Sequence, residues 1–104
     1  MIRATFRYRE GQAQGFSLVG HAGAGIEGED IVCAAVSSAA YMTANTLTEI
    51  CGVRAAAAVK DGEMSVSFTE KDARAQAVLD GFLLHMQALQ EQYPTRIQVQ
   101  KMEV

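Results

Sequence analysis

Residues 2–9 alternate, with Ile2, Ala4, Phe6 and Tyr8 on one face and Arg3, Arg7 and Arg9 on the other. A period of two marks a half-buried strand, because successive side chains of a strand point to opposite faces. Glu10-Gly11-Gln12 reads as a turn, and residues 13–19, ending in Phe16, Leu18 and Val19, read as a second strand. Together they predict an antiparallel hairpin. The pattern then changes. From Ile31 to about Ile50 the chain is apolar and rich in alanine. Asp30 before it and Cys51-Gly52 after it predict a helix with an aspartate N-cap and a left-handed glycine terminator. Residues 53–60 and 63–69 predict a second hairpin around Asp61-Gly62, a strong turn signal. A second helix is predicted from about Lys71 to Glu91, with Ala75, Val78, Leu79, Phe82, Met86 and Leu89 on one stripe. Pro94 stops it, and Thr95 to Val104 reads as a last strand.

The order ββαββαβ predicts an α+β fold: two helices packed on one mixed or antiparallel sheet, in a single domain spanning residues 1–104. Leu83 and Leu84 lie off the main stripe of the second helix, and the first helix carries alanines around much of its circumference. Surplus apolar surface of this kind predicts a homodimer.

Composition narrows the function classes. The chain has 104 residues, 49% of them hydrophobic, and a formal net charge of −3. A globular chain of this length buries roughly two-thirds of its unfolded surface, enough for a core without disulfides or metal. Lys and Arg are scattered singly, so no cationic face for nucleic acid is expected, and a basic protein or peptide is the more natural partner. No apolar run approaches the ~20 residues of a membrane span. Alternation begins at once after Met1, without the character of a signal peptide. These features predict a cytoplasmic protein without membrane contact, with Cys33 and Cys51 as reduced thiols.

Between the first hairpin and the first helix, residues 20–29 hold four glycines, and Gly23-x-Gly25-x-x-Gly28 matches a dinucleotide fingerprint. The surroundings argue against a nucleotide: Glu27, Glu29 and Asp30 put carboxylates where a pyrophosphate needs the positive helix end. The preceding strand belongs to a hairpin, and the chain is too short for a doubly wound sheet. The glycines read as a loop.

Cys33 falls in the opening turn of the predicted helix, where the dipole lowers a thiol's pKa, and a neighbouring imidazolium from His21 would lower it further. That pair is the candidate nucleophile and general base, with first-turn amides as candidate donors to an oxyanion. Other readings stand beside it: a cysteine between Val32 and Ala34 also suits a small buried apolar role, and a lone histidine after a strand suits a surface one. Asp30 either caps the helix or orients His21, capping being favoured. Ser37, one turn after Cys33, shares its helix face. Cys51 sits at the helix end where a thiolate is disfavoured, so it reads as structural. His85 has no ligand partners at suitable spacing, and no metal or cofactor is expected.

Gly20-His21-Ala22, a glycine-containing loop, and then Gly28-x-Asp30-Ile31-Val32-Cys33-Ala34-Ala35-Val36-Ser37 resemble the signature of the ribosomal-processing cysteine protease family, Prp (YsxB-like). The second helix running into Gln92-Tyr93-Pro94 and a closing strand is also similar to that family. The resemblance implies a cysteine endopeptidase that removes a short N-terminal extension from the twenty-seventh protein of the bacterial large ribosomal subunit. It implies Cys33 as nucleophile and His21 as base, with Asp30 and Ser37 on supporting positions. It also implies a dimer, and a substrate loop that here contains Gly23, Gly25 and Gly28. The alternatives from other classes are a non-catalytic ribosome-assembly binding module and a thiol redox sensor.

Overall fold

The structure, a computed structural model, describes residues 1–23 and 30–104. Five strands form one sheet in the order β3-β4-β2-β1-β5. The strands are β1 (Ile2–Arg9), β2 (Gln12–Val19), β3 (Ala56–Lys60), β4 (Glu63–Ser67) and β5 (Ile97–Glu103), with helices α1 (Ile31–Asn45) and α2 (Ala73–Gln92). The sheet is mixed: β1 pairs parallel with β5, from Ile2 opposite Ile97, and the other neighbours are antiparallel. The first hairpin closes on Glu10 and Gly11, both at positive φ (52° and 78°), the geometry whose twist matches that of the flanking strands.

A bulge follows, since Arg7 pairs with Gly15 but Tyr8 with Ala13, leaving Gln14 extra. Gly15 is required there. Its φ is +144°, and a Cβ would sit 2.0 Å from the Val66 carbonyl oxygen of β4.

One face of the sheet carries the core. Ile2, Ala4 and Phe6 of β1, Phe16 and Leu18 of β2, Met64 and Val66 of β4 and Ile97 of β5 are all buried. The alternate positions of β1 and β2 are polar or glycine up to Ser17, which is why period-two reading located both strands. Phe82 of α2 meets the rings of Phe6 (5.4 Å between centroids) and Phe16 (4.9 Å), both edge-on, an arrangement favoured by the ring quadrupoles. From α1, Val32, Val36, Ala40 and Ala44 face the core, and Leu47 extends the row.

Several expectations shift in detail. The first helix spans Ile31 to Ile50 as expected, but Thr46–Ile50 is π-helical. Gly52 ends it at φ +69°, as a left-handed terminator does. The second hairpin begins at Ala56 instead of residue 53, because Val53 is buried at a corner and its N–H bonds the Leu47 carbonyl (3.1 Å). The second helix begins two residues late, capped by Asp72, whose Oδ1 accepts from the Arg74 and Ala75 amides. Leu83 proves to be buried and only Leu84 is exposed, so α2 offers less surplus surface than its stripe suggested. Ile31–Ile50 is also 20 residues long with mean hydropathy 1.2, long and apolar enough by composition to cross a bilayer. Here its inward row closes the core over the sheet. All five residues of the edge strand β3 are exposed.

Candidate active site

Two chain segments meet at the end of β2. The first leaves the strand at Gly20, whose φ is +102° and whose added Cβ would lie 2.2 Å from the Met1 carbonyl oxygen. Only glycine lets the chain turn this tightly over the start of β1. The Gly20 N–H donates to the Gly62 carbonyl (2.8 Å), which pins the segment to the β3–β4 turn. His21 then projects outward with its side chain 60% exposed, against Gly62 and 4.0 Å from Asp61 Oδ1. Ala22 turns inward and is buried.

The second segment is the opening of α1. Asp30 is extended (φ −75°, ψ 104°), and its Oδ1 accepts from the Val32 and Cys33 amides, at 3.0 Å each. Asp30 therefore caps the helix, the favoured of its two sequence readings. Cys33 stands at the third helical position as expected, half-buried, and its Sγ accepts the Ala22 N–H at 3.2 Å. That bond joins the two segments.

His21 and Cys33 line one open groove of about 160 Å³, together with Ser37 and Tyr41 from the next two turns of α1 and Val59 and Met64 from the second hairpin. The spacing of Cys33, Ser37 and Tyr41 at four-residue intervals puts them on one helix stripe. The structure thus brings together His21, Cys33 and Ser37, with Asp30 behind the thiol. Gly23 follows Ala22 directly, whereas Gly25 and Gly28 of the expected substrate loop lie outside the described residues, as do Glu27 and Glu29. Cys51 is buried at the far end of the first helix, His85 is exposed on α2, and both cysteines are free thiols. Among the described residues no three metal-ligating side chains converge.

Two expectations about the chemistry are corrected. The thiol is not acidified by its place in the helix: partial burial pushes its pKa up, and the Asp30 carboxylate raises it further by hydrogen bond and by charge. The Ala22 N–H opposes this, with a smaller effect than burial. A capping carboxylate thus supplies negative charge where the bare helix end would supply positive. Nor are the opening amides nearest the thiol open to an oxyanion. Those of Val32 and Cys33 bond the Asp30 side chain, and that of Ala34 bonds the Asp30 carbonyl (3.0 Å). Among the described residues, the amide turned toward the sulfur is that of Ala22, from the other segment.

Sequence reasoning missed Asp61, Val59, Met64 and Tyr41 as parts of the site. The Asp61-Gly62 pair was legible as a turn, but its contact with His21 depends on β2 pairing with β4, a long-range fact. For Tyr41 a signal existed, since it continues the four-residue spacing from Cys33 and Ser37.

The family model described as cysteine protease Prp matches residues 1–98. Among solved structures, the chain is similar to the ribosomal processing protease Prp from S. aureus in complex with a covalently linked product peptide. That match has 25% identity, covers 97% of this chain and 99% of the other, and has a TM-score of 0.92. It is also similar to SMU.848 from Streptococcus mutans, with 34% identity, coverage of 100% and 96%, and a TM-score of 0.81. The S. aureus protease with a substrate peptide supports the fold, at 24% identity, coverage of 97% and 99%, and a TM-score of 0.86. A comparison with curated proteins found no match. With the family model matched across nearly its whole length, this chain belongs to the cysteine protease Prp family.

Proposed function

We propose that this cysteine protease removes the N-terminal extension from the precursor of the twenty-seventh protein of the bacterial large ribosomal subunit, with Cys33 as nucleophile and His21 as general base. The observation that carries the residue assignment is the convergence of His21 and Cys33 on one open groove, with a backbone N–H on the sulfur. The substrate class is supported by the S. aureus relative, a ribosomal processing protease that holds a covalently linked product peptide. The net charge of −3 suits a basic ribosomal protein, because opposite charge favours encounter. A cytoplasmic location fits that substrate. A homodimer fits the exposed apolar side chains of Ile31, Met42 and Ile50 on and just beyond α1.

The raised thiol pKa sets the order of events. A raised pKa favours the protonated thiol, so in this reading the proton leaves as the bond to carbon forms. His21 accepts that proton while Sγ attacks the scissile carbonyl carbon, whose oxygen takes up the negative charge. The Ala22 N–H, already within 3.2 Å of Sγ, is the donor best placed to receive that oxygen, and one such donor contributes about 2.7–4 kcal/mol in known enzymes. His21 then gives its proton to the leaving amine, the C–N bond breaks, and a thioester remains on Cys33. Water, deprotonated by His21, attacks the thioester, and release of the acid returns the proton to Sγ.

The test is incubation of the purified precursor with the parent protein, Cys33→Ser and His21→Ala, read by intact mass. Loss of one N-terminal piece with the parent alone is the expected result. A precursor left whole by the parent overturns the substrate, and cleavage at the parental rate by either variant overturns the assigned residue.

A further inference from the structure

Arg96 is a side chain that the mechanism above does not use and that nonetheless reaches the site. It lies in the turn 94–96 between α2 and β5. Its backbone is fixed on both sides, its N–H bonding the Tyr93 carbonyl (2.9 Å) and its carbonyl accepting the Ile2 N–H (2.9 Å). From this anchored position Nη1 donates to the Ala22 carbonyl (3.3 Å) and, by a short bond, to the Gly23 carbonyl. Ala22 is therefore held at both ends, by Cys33 Sγ on its N–H and by the guanidinium on its carbonyl. Its side chain is buried, so the residue has no third route to solvent contact.

We propose that Arg96 is a positioning residue of the thiol site, clamping the Ala22 and Gly23 carbonyls so that the Ala22 N–H stays on Cys33 Sγ and His21 stays at the mouth of the groove. The inference rests on the reading of Cys33 as nucleophile. The physical case is one of constraint. The 20–23 segment is not part of a strand or helix, and its other backbone anchor is the Gly20–Gly62 bond, two residues upstream. Hydrogen bonds to a charged donor are shorter and stronger than neutral ones. Without them, the two carbonyls turn to water, and Ala22, no longer held on its C-terminal side, can turn about its own φ and ψ so that its N–H leaves the sulfur. The N–H is among the influences that lower the thiol's pKa, so its loss leaves burial and the Asp30 carboxylate less opposed. In the reaction the same rotation removes the donor from the oxyanion.

The test compares the parent with Arg96→Ala and Arg96→Lys. The first reading is iodoacetamide alkylation of Cys33 between about pH 7 and 11.5, followed by peptide mass, with Cys51 as the internal control. The second is kcat and KM on a peptide spanning the cleavage site. For Arg96→Ala the alkylation midpoint should move to higher pH, and kcat should fall by about tenfold or more with little change in KM. Arg96→Lys, which keeps a cationic donor, should lie between, and added guanidinium ion at low concentration should partly restore Arg96→Ala. A folded Arg96→Ala with the parental alkylation midpoint overturns the proposal. If that variant melts below the assay temperature, the midpoint of Arg96→Lys decides, and one identical to the parent overturns it. Alkylation needs no substrate, so a wrong assignment of the precursor leaves this reading intact.

Discussion

Replacing Asp30 separates the two things its carboxylate does. Its Oδ1 takes the Val32 and Cys33 amides at 3.0 Å each, and Asp30→Ala removes both bonds. Loss of such a cap costs about 1 kcal/mol, within a range of ~0.5–2. In a domain of this size each kcal/mol lowers Tm by roughly 4–8 °C. Asn caps about as well as Asp, so Asp30→Asn should stay within about 0.5 kcal/mol of the parent. Both variants remove the negative charge beside the thiol. Burial is the largest cause raising the Cys33 pKa and remains; the charge contribution of Asp30 disappears in both variants and its hydrogen-bond contribution in Asp30→Ala, while the Ala22 N–H continues to lower the pKa. The sign follows: removing a cause that favours the protonated form gives more thiolate at neutral pH. The more acidic thiolate is intrinsically less nucleophilic, but with a Brønsted slope of about 0.4–0.5 the gain in population exceeds the loss in reactivity. Cys33 should therefore be alkylated by iodoacetamide faster at neutral pH in both variants, and no faster than the parent at high pH. Stopped alkylation with peptide mass gives the rate, and calorimetry gives Tm. An Asp30→Asn protein with the parental pH profile would refute the reasoning. So would acceleration in Asp30→Ala alone, which would tie the effect to fraying of the helix end instead of to charge.

Three further outcomes are expected. Gly15→Ala places a Cβ 2.0 Å from the Val66 carbonyl oxygen and should destabilise by more than about 2 kcal/mol, read by urea unfolding; a change under 1 kcal/mol would mean that β4 is not held against the bulge. Phe16→Ala empties the centre of the Phe6–Phe16–Phe82 cluster and should cost about 3–5 kcal/mol in the same assay. Asp61→Asn should change kcat/KM by no more than about fivefold, because the pair with His21 is long and exposed and such pairs contribute about 0.2–1 kcal/mol. A loss near that of a buried triad carboxylate would show that Asp61 closes onto His21 with substrate bound.

What the sequence revealed and what it concealed divide along the range of the interactions involved. Local signals carried far: alternation found β1 and β2, the aspartate before an apolar run found the cap of α1, and Asp61-Gly62 found the second hairpin. Where a competing tertiary contact won, boundaries moved. Val53 reads as a strand residue by composition but is buried at the corner after the first helix, and its N–H goes to Leu47. Leu83 reads as surplus because a stripe drawn at helical spacing is narrower than the surface that α2 buries. At the site, the sequence placed Cys33 and His21 correctly on their elements, since each position follows from a nearby cap or strand end. It gave no warning that the opening amides would be taken up by Asp30, because a cap and an oxyanion donor draw on the same N–H groups and only coordinates decide between them. Arg96 was out of reach altogether, being 74 residues from the carbonyl it bonds.

The arrangement also explains how a thiol can sit at a helix N-terminus and still have its pKa raised. The helix end offers partial positive charge, and the capping carboxylate answers it with a full negative one whose Oδ1 already holds the amides that would otherwise favour the thiolate. Oxidation of cysteine proceeds through the thiolate, so a raised pKa works against adventitious oxidation of Cys33. In the proposed mechanism, reactivity depends on His21 taking the thiol proton as the carbonyl carbon arrives. His21 is exposed, its Nε2 4.0 Å from Asp61 Oδ1, while the Ala22 amide next to it bonds the sulfur. In that mechanism one segment supplies, from adjacent residues, the proton acceptor on an exposed imidazole and a hydrogen-bond donor on a residue that is buried and bonded at both ends.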